Sequence, residues 1–264
     1  MKLPEVEKVL TSKEAYDFVA TLGFPAIHPG GSEATKELIS LCQLDETTKV
    51  LDVGCGAGQT ACTIAELYGS QVTGIDISKS MLIKAEERIH KKKLENKVDF
   101  QLADVYQLPF EDGTFDVVIF ESLLAPLSEE VLALKEMFKV IRPGGRIGAN
   151  EGILDPSTPP EVFEMLAKHP SFSGVVITFQ VLKSMFEDVG FNVTHFTEFP
   201  FSMSILKEMG VRGIISFMLK TYPGLLIKLM KDSRFRKYQR FDEKLNKTIK
   251  EYASYVLVVA QKPK

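Results

Sequence analysis

The chain has 264 residues, of which 45% are hydrophobic and 25% are charged. These proportions are ordinary for a globular protein, and a chain of this length buries a large core without disulfides or structural metals. The net charge is −3, which argues against general affinity for nucleic acid, so we expect no nucleic-acid partner.

Cysteine content and hydrophobic segments indicate the compartment. The three cysteines are Cys42, Cys55 and Cys62, an odd and sparse set that does not form a disulfide framework. They lack histidines at zinc-ligand spacing, so no metal is expected. The opening MKLPEVEKVL has no signal-like apolar run, and no stretch approaches the roughly 20 apolar residues of a membrane span. We therefore expect a cytoplasmic protein.

The first 45 residues predict helices. Ser12 is placed to cap a helix running through Phe18, and Ser32 is placed to cap a helix over Glu33–Cys42. Between them lies a loop rich in glycine and proline, and this loop contains His28.

From Lys49 the sequence alternates short apolar strands with helices. The predicted strands are Lys49–Val53, Val72–Ile75, Val98–Leu102, Phe115–Phe120 and Arg146–Asn150. The predicted helices are Gln59–Tyr68, Ser78–Lys92 and Ser128–Ile141. Such alternation indicates βαβ units and a parallel, doubly wound sheet.

A proline-rich linker at 156–160 precedes the last third of the chain. The predicted elements there are helices over Glu161–Lys168 and Thr178–Val189, a strand over Phe191–Phe196, irregular helices over Pro200–Lys250 and a final strand over Tyr255–Ala260. We therefore predict an N-terminal helical segment (1–45), an α/β core (46–199 and 251–264) and a helical lid inserted before the last strand (200–250).

A glycine loop lies between the first strand and the first helix of this alternation. Gly54, Gly56 and Gly58 let the backbone turn sharply and let a ligand approach it, at a helix N-terminus with free N–H groups. The G-x-G-x-G spacing differs from the dinucleotide pattern G-x-G-x-x-G, and it does not require a pyrophosphate contact. Asp76 ends the next strand, 22 residues after Gly54, the distance at which a carboxylate binds ribose hydroxyls. The alternative is that the glycines form only a tight turn and that Asp76 caps the following helix.

These residues resemble a known family. The segment VLDVGCGAG at 50–58, followed by GIDIS at 74–78, resembles the first two motifs of class I S-adenosylmethionine-dependent methyltransferases. Two further blocks, at 102–118 and 141–147, resemble the adenine-side acid with the fourth strand and the R-P-G-G turn into the fifth. The resemblance covers about residues 50–150 in the family order. It implies a Rossmann-like fold with a seven-stranded, mostly parallel sheet whose last strand is antiparallel.

The resemblance also implies S-adenosylmethionine as the cofactor and assigns its contacts. The three glycines and Cys55 form the floor under its methionine part, and Asp52 orders that loop. Asp76 binds the ribose and Ile77 lies near the adenine. The remaining implied contacts are Asp104 at the adenine amino group, Val105 beside it, and Glu121 after the fourth strand. An alternative for Asp104 is that it caps a turn through Gln107.

Catalytic candidates follow from position rather than from a motif, because methyl transfer needs alignment and only sometimes a base. Glu121 and Glu151 follow the fourth and fifth strands, at the sheet edge where ligands bind. His28 is the third candidate, since this family often folds its N-terminal segment over the cofactor. The alternatives are that the acids are solvated or capping groups, and that His28 forms hydrogen bonds with the backbone of its own loop.

The predicted lid combines apolar residues with basic ones. Residues 207–250 contain 12 Lys and Arg against 4 Asp and Glu. A cap packed on the core explains this composition, and so does peripheral contact with an anionic membrane or attraction of an acidic acceptor. We expect a small-molecule acceptor, possibly apolar in character. The alternative is a lipid-like, prenylated or quinone acceptor at a membrane surface. The acceptor atom and the oligomeric state stay open.

The same residues bear on three other functional classes. An NAD(P)-dependent oxidoreductase is disfavoured by the glycine spacing and by the lack of a suitably placed Tyr-x-x-x-Lys pair. A non-catalytic S-adenosylmethionine-binding module remains an alternative. Nucleic-acid methylation is disfavoured because Glu121-Ser122-Leu123-Leu124 stands where an Asn-Pro-Pro-Tyr-like block is expected. The predicted function is methyl transfer to a small molecule.

Overall fold

The structure is a computed structural model that describes residues 28–168, 177–201, 244–245 and 247–264. Its helices are α1 (Gly31–Leu41), α2 (Gln59–Tyr68), α3 (Lys79–Lys92), α4 (Glu130–Val140), α5 (Pro160–Ala167) and α6 (Phe179–Val189). Its strands are β1 (Lys49–Val53), β2 (Gln71–Asp76), β3 (Val98–Leu102), β4 (Phe115–Glu121), β5 (Ile141–Leu154), β6 (Asn192–Pro200) and β7 (Ala253–Gln261).

The strands form one seven-stranded sheet in the order β3-β2-β1-β4-β5-β7-β6. Strands β1 to β5 pair in parallel, whereas β7 is antiparallel to both β5 and β6. This arrangement confirms the predicted doubly wound fold with an antiparallel last strand. The strand order reverses between β1 and β4, so the carboxyl ends of these two strands border the crevice in which such sheets bind ligands.

Helices cover both faces of the sheet, which explains why the central strands are apolar almost throughout. Along β4, Val117 and Ile119 belong to the hydrophobic cluster that includes α1 and α2. The alternate residues Val118 and Phe120 belong to the cluster that includes α4 and α6. Alternate residues of a strand therefore pack against the helices on opposite faces of the sheet.

Two boundaries differ from the prediction for local reasons. Helix α1 begins at Gly31 after Gly30, a left-handed residue with φ of 73°, so Ser32 is not its cap. Helix α4 begins at Glu130 rather than Ser128. The Tyr106 hydroxyl accepts hydrogen bonds from the N–H groups of Ser128 (3.0 Å) and Glu129 (3.2 Å). A side chain from another loop thus binds backbone N–H groups that precede α4.

Strand β5 is longer than predicted. It runs from Ile141 to Leu154, and the Pro143-Gly144-Gly145 turn lies inside it as a register shift against β4. Its carboxyl half therefore carries Asn150 and Glu151 in the middle of a ladder with β7. This places both side chains inside the protein rather than in a loop.

Parts of two predicted segments lie outside the described residues. They are residues 1–27 of the N-terminal segment, including Ser12 and the helix through Phe18, and most of the predicted lid between 202 and 243. Of the helices that are described, none has the length and apolar character needed to cross a bilayer.

Candidate functional site

The glycine loop joins β1 to α2 and is fixed against the end of β2. Gly54, Gly56 and Gly58 have φ angles of 70°, 52° and 73°, in the left-handed region that residues with a Cβ rarely adopt. The N–H groups of Gly54 and Cys55 donate to the Ile75 carbonyl oxygen at 2.8 and 2.9 Å. The loop is therefore a defined turn at the carboxyl edge of the sheet.

The three glycines meet different surroundings. A Cβ on Gly58 would lie 2.5 Å from the Phe100 ring, and one on Gly54 would lie 2.9 Å from Leu123 Cδ1. A Cβ on Gly56 would have no heavy atom within 4 Å. Gly58 and Gly54 are thus required by packing, whereas Gly56 opens to free space where a ligand can approach the backbone. This cradle fits a nucleoside cofactor of the kind that the resemblance implies.

Asp76 stands at the edge of this cradle. Its carboxylate accepts hydrogen bonds from Gly56 N–H (2.9 Å) and Ser78 N–H (2.8 Å). Burial raises the pKa of Asp76, while these N–H groups act in the opposite direction. The Ser78 hydroxyl accepts from Met81 N–H at 3.3 Å and caps α3. Asp76 therefore links the loop to β2, and Ser78 supplies the side-chain cap.

Two exposed apolar side chains lie next to Asp76, one following it in sequence and one on the neighbouring strand β3. Ile77 is 71% exposed and Leu102, at the end of β3, is 50% exposed. Exposed large apolar side chains beside a glycine loop offer a surface for a flat aromatic base. Ile77 was predicted from the resemblance. Leu102 was not assigned as a contact, although its place at the end of the neighbouring strand was visible in the sequence.

Asp104 is exposed in a short turn after β3. Its Oδ1 accepts from Tyr106 N–H at 3.0 Å, and its carbonyl accepts from Gln107 N–H at 3.0 Å. The turn through Gln107 that the sequence left as an alternative is therefore present. Val105 beside it is buried.

Asp52 lies beneath the start of α2. It is only 3% exposed, and its Oδ2 accepts from Ala61 N–H at 3.1 Å. Burial raises the pKa of Asp52 to about 8, and the negative charges of Glu121 and Asp76 contribute in the same direction. Asp52 thus joins β1 directly to the helix that follows the glycines, and its role in ordering the loop stays a prediction.

Glu121, the last residue of β4, is the centre of a buried polar network. Its side chain is 5% exposed. Thr60 at the start of α2 donates to Oε1 at 2.8 Å, Thr35 of α1 donates at 3.1 Å and Asn150 of β5 donates to Oε2 at 3.0 Å. The carboxylate thereby joins two helices and two strands.

His28 belongs to the same network. Its Nδ1 lies 3.2 Å from Glu121 Oε2, and its Nε2 lies 3.2 Å from Thr35 Oγ1. Asn150 Nδ2 also donates to the Pro29 carbonyl oxygen at 3.0 Å. The structure thus brings His28 and Glu121 together, and protein groups contact both ring nitrogens.

Glu151 does not join His28 and Glu121. It is fully buried, and its Oε1 accepts from Leu123 N–H (2.7 Å) and Leu124 N–H (2.9 Å) in the turn after β4. Its Oε2 is buried without a hydrogen-bond partner. Burial raises the pKa of Glu151 to about 8. The three catalytic candidates therefore separate into a pair and a single residue.

Sequence reasoning missed Arg88 of α3. Its Nε donates to the Ala57 carbonyl oxygen at 2.7 Å, and its guanidinium also bonds the Gln59 side chain. Arg88 therefore ties the glycine loop and the start of α2 to α3. The sequence carries no signal for this contact, because the principal acceptor is a backbone carbonyl distant along the chain.

The cysteines are buried and free. Burial raises the pKa of Cys55 well above its ordinary value, although Cys55 lies within the glycine loop. Its thiol is therefore not an activated nucleophile. Within the described ranges, no group of three His, Cys, Asp or Glu side chains is arranged to hold a metal ion.

Comparison with known proteins gives the family. Residues 44–202 match a family described as a methyltransferase domain. A Haemophilus influenzae protein described as uncharacterized is 32% identical over 199 residues, which cover 74% of this chain and 78% of that protein. Phosphoethanolamine N-methyltransferase 3 of Arabidopsis thaliana is 31% identical over 176 residues, which cover 67% of this chain and 35% of that enzyme. The chain thus corresponds to about a third of the plant enzyme.

Solved structures support the fold. The [4+2]-cyclase SpnF superimposes with a TM-score of 0.73 and 22% identity, over 99% of this chain and 98% of that one. Phosphoethanolamine N-methyltransferase 2 of Haemonchus contortus, in complex with phosphomonomethylethanolamine and S-adenosylhomocysteine, gives a TM-score of 0.69 and 19% identity, over 97% of this chain and 59% of that one. At these identities the likeness concerns the fold alone. Because the family match covers more than half of the chain, and the glycine cradle and fold agree with it, this protein belongs to the S-adenosylmethionine-dependent methyltransferases and uses S-adenosylmethionine as its cofactor.

Proposed function

We propose that this protein transfers a methyl group from S-adenosylmethionine to a small-molecule acceptor, with the cofactor held between the glycine loop and Asp76. One observation carries the proposal. The Asp76 carboxylate bonds Gly56 N–H at 2.9 Å, at the glycine whose Cα faces free space. A fixed carboxylate beside an accessible backbone suits the recognition of a ribose next to a close backbone contact.

The other cofactor contacts are proposed from position. The loop Gly54–Gly58 supports the methionine part, with Cys55 packed beneath it. Ile77 and Leu102 face the adenine from its apolar sides. The remaining proposed contacts are the exposed Asp104 at the adenine amino group and Val105 behind it.

The bound cofactor supplies an electrophilic methyl group on a sulfonium centre. The protein's part is to align donor and acceptor and to exclude water. Glu121 and His28 contact each other and the hydroxyl of Thr35. We propose that these two residues position the ends of β4 and β5 rather than accept the acceptor's proton, because their polar atoms are engaged within the protein.

We propose a phosphorylated small molecule as the acceptor class to test first. The relatives from Arabidopsis thaliana and Triticum aestivum and a Haemonchus contortus structure of this fold are named phosphoethanolamine N-methyltransferases. In addition, residues 207–250 contain 12 Lys and Arg against 4 Asp and Glu. Positively charged segments attract anionic substrates and raise their local concentration. Release of S-adenosylhomocysteine would be measured with phosphoethanolamine and with ethanolamine. Equal rates with both would contradict the phosphate preference.

A lipid-like acceptor reached at a membrane surface is the second candidate. It is supported by the combination of apolar and basic residues in the sequence at 200–250. Flotation with anionic vesicles at low salt tests it, and absence of binding would exclude the membrane contact. We also propose a reducing, cytoplasmic location, because the three cysteines are free.

Calorimetric titration with S-adenosylmethionine and S-adenosylhomocysteine tests the central proposal. We expect dissociation constants in the micromolar range, corresponding to about 7–9 kcal/mol. Asp76→Ala should weaken both by about 10–100-fold, since it removes a charge-assisted contact. The matched control is Asp99→Ala, which removes an exposed carboxylate bonded to Thr73 without touching the loop. Binding of NAD(P) in place of either ligand would contradict the proposal.

A further inference from the structure

The turn that follows β4, formed by Ser122, Leu123 and Leu124, is bonded to β5 by three consecutive N–H groups. Ser122 N–H donates to the Asn150 carbonyl oxygen at 2.8 Å. Leu123 and Leu124 N–H both donate to Glu151 Oε1, at 2.7 and 2.9 Å. Ser122 has a φ of 52°, a conformation that a residue with a Cβ keeps only where its surroundings hold it. Two adjacent residues of β5 therefore fix the turn.

This turn carries a side chain to the first glycine of the glycine loop. Leu123 Cδ1 would lie only 2.9 Å from a Cβ on Gly54, so the Leu123 side chain fills the space beside the Gly54 Cα. Gly54 is itself fixed by its N–H, which donates to the Ile75 carbonyl oxygen at 2.8 Å. The path from Glu151 to the glycine loop therefore consists of one hydrogen-bonded turn and one side chain.

Glu151 holds the turn as an uncharged acid near neutral pH. It is fully buried, and burial raises its pKa to about 8. Among the described residues, no Lys or Arg forms a salt bridge with it. Its Oε1 accepts both N–H groups while its Oε2 has no hydrogen-bond partner, as in a carboxylic acid whose carbonyl oxygen is Oε1. The contact with the turn thus depends on an acceptor oxygen rather than on a negative charge.

We propose that Glu151 is a positioning residue for cofactor binding, holding the Leu123 side chain against the glycine loop through the Leu123 and Leu124 N–H groups. This inference rests on the proposed function. A ligand that meets a preorganised loop avoids the free-energy cost of ordering it, so the fixed turn should give tighter binding. The role needs only the Oε1 acceptor, which distinguishes it from the general base that the sequence suggested for Glu151.

Variants of Glu151 and Leu123 test the proposal by calorimetry with S-adenosylhomocysteine. Glu151→Met keeps the length of the side chain and removes the acceptor, and Leu123→Ala removes the side chain that the turn carries. Each should raise the Kd by about tenfold. Glu151→Gln keeps an uncharged acceptor oxygen, so its Kd should stay within about twofold of the wild-type value. In the double variant Glu151→Met, Leu123→Ala the two losses should not add, because both act through the same side chain.

The matched control lowers stability elsewhere in the same strand. Phe115 lies at the amino end of β4, opposite the end that borders the glycine loop, and its ring packs edge-on against Phe110 with centroids 5.0 Å apart. Phe115→Leu should lower the urea midpoint and leave the Kd for S-adenosylhomocysteine unchanged. A loss of affinity in this control as large as that in Glu151→Met would contradict the proposal, because instability alone would then explain both.

Hydrogen exchange measures the turn itself, without a ligand. Peptides that contain Leu123 and Leu124 should exchange their amide hydrogens slowly in wild-type protein and in Glu151→Gln, and faster in Glu151→Met. Equal exchange in folded Glu151→Met and in wild-type protein would overturn the proposal.

Two of the variants decide the matter if Glu151→Met does not fold. An unchanged Kd in Leu123→Ala would overturn the proposal, as would a Kd raised as much in Glu151→Gln as in Leu123→Ala. Failure of wild-type protein to bind either S-adenosylmethionine or S-adenosylhomocysteine would instead overturn the proposed function.

Discussion

The Leu123 amide N–H donates to Glu151 Oε1 at 2.7 Å, which fixes the turn after β4 to the neighbouring strand β5. Within this turn Ser122 has a φ of 52°, an unusual conformation for a residue with a side chain. The Leu123 side chain lies against the Cα of Gly54. A buried carboxyl group thus sets the position of a side chain that borders the glycine loop.

The first prediction concerns the pH dependence of stability. The raised pKa of Glu151, about 8, means that the folded protein keeps a proton that the unfolded chain releases near its ordinary pKa of 4.5. The contribution of Glu151 to stability is therefore fully present below about pH 4.5 and is lost as the pH rises to about 8. Asp52 acts in the same window because its pKa is also raised to about 8. The urea midpoint should fall between about pH 5 and about pH 8 in wild-type protein and should level off above that.

The double variant Asp52→Asn, Glu151→Gln supplies the control for this effect. Its amide side chains do not titrate, so its urea midpoint should change much less over the same pH range. A fall as steep as that of wild-type protein would show that other groups cause it.

The second prediction separates two glycines. Gly58→Ala should lower the free energy of unfolding by about 2–4 kcal/mol, because its Cβ would meet Phe100 at 2.5 Å in a left-handed backbone. Gly56→Ala meets no neighbour within 4 Å, so it should cost only about 1 kcal/mol of backbone strain. Its main effect should be on ligand binding, because its methyl group enters the cradle. Urea unfolding and S-adenosylhomocysteine titration of both variants measure this contrast, and equal ligand affinities would refute it.

The third prediction concerns Arg88. Arg88→Met removes the donor to the Ala57 carbonyl oxygen while keeping much of the apolar stem. We expect S-adenosylhomocysteine binding to weaken by about 3–10-fold, because the loop loses its hydrogen bonds from Arg88. Lys84→Met on the same helix is the control, since Lys84 pairs with the exposed Glu87. If both variants bind as wild-type protein does, Arg88 does not hold the loop.

The fourth prediction tests the polar network through Thr60. Thr60→Val keeps the shape and removes the hydroxyl that donates to Glu121 at 2.8 Å. A hydrogen bond to a charged group contributes about 1.5–3 kcal/mol, and the free energy of unfolding should fall by that amount. Thr60→Ser should restore most of it, because the hydroxyl returns. A serine variant as unstable as the valine variant would mean that methyl packing, not the hydrogen bond, is responsible.

The fifth prediction concerns thiol reactivity. Burial raises the pKa of Cys42 to about 12 and that of Cys62 to about 11, and Cys55 is raised as well. Native protein at about pH 8 should therefore resist alkylation by iodoacetamide at all three positions. Mass spectrometry after unfolding in urea should show three modified cysteines. Rapid modification of Cys55 in the native state would contradict its burial.

The sequence alone determined the alternating core, the glycine loop and Asp76. Each of these features involves residues that are close together along the chain. The alternation of strands with helices and the distance from Gly54 to Asp76 can therefore be recognised without the tertiary structure. The strands Lys49–Val53 and Val98–Leu102 were predicted at the bounds that the structure gives them. A motif of this kind is a property of neighbours in sequence.

Only the tertiary structure determined which polar side chains contact one another. Asn150 and Glu151 are adjacent in sequence, yet Asn150 bonds Glu121 while Glu151 bonds the turn at Leu123, because successive residues of a strand face opposite sides of the sheet. The sequence placed both at the end of a strand but did not show which face each would occupy. The contacts of His28 with Glu121 and of Arg88 with Ala57 join segments that are distant along the chain. Only the packing of helices onto the sheet brings them together, so no local pattern could predict them.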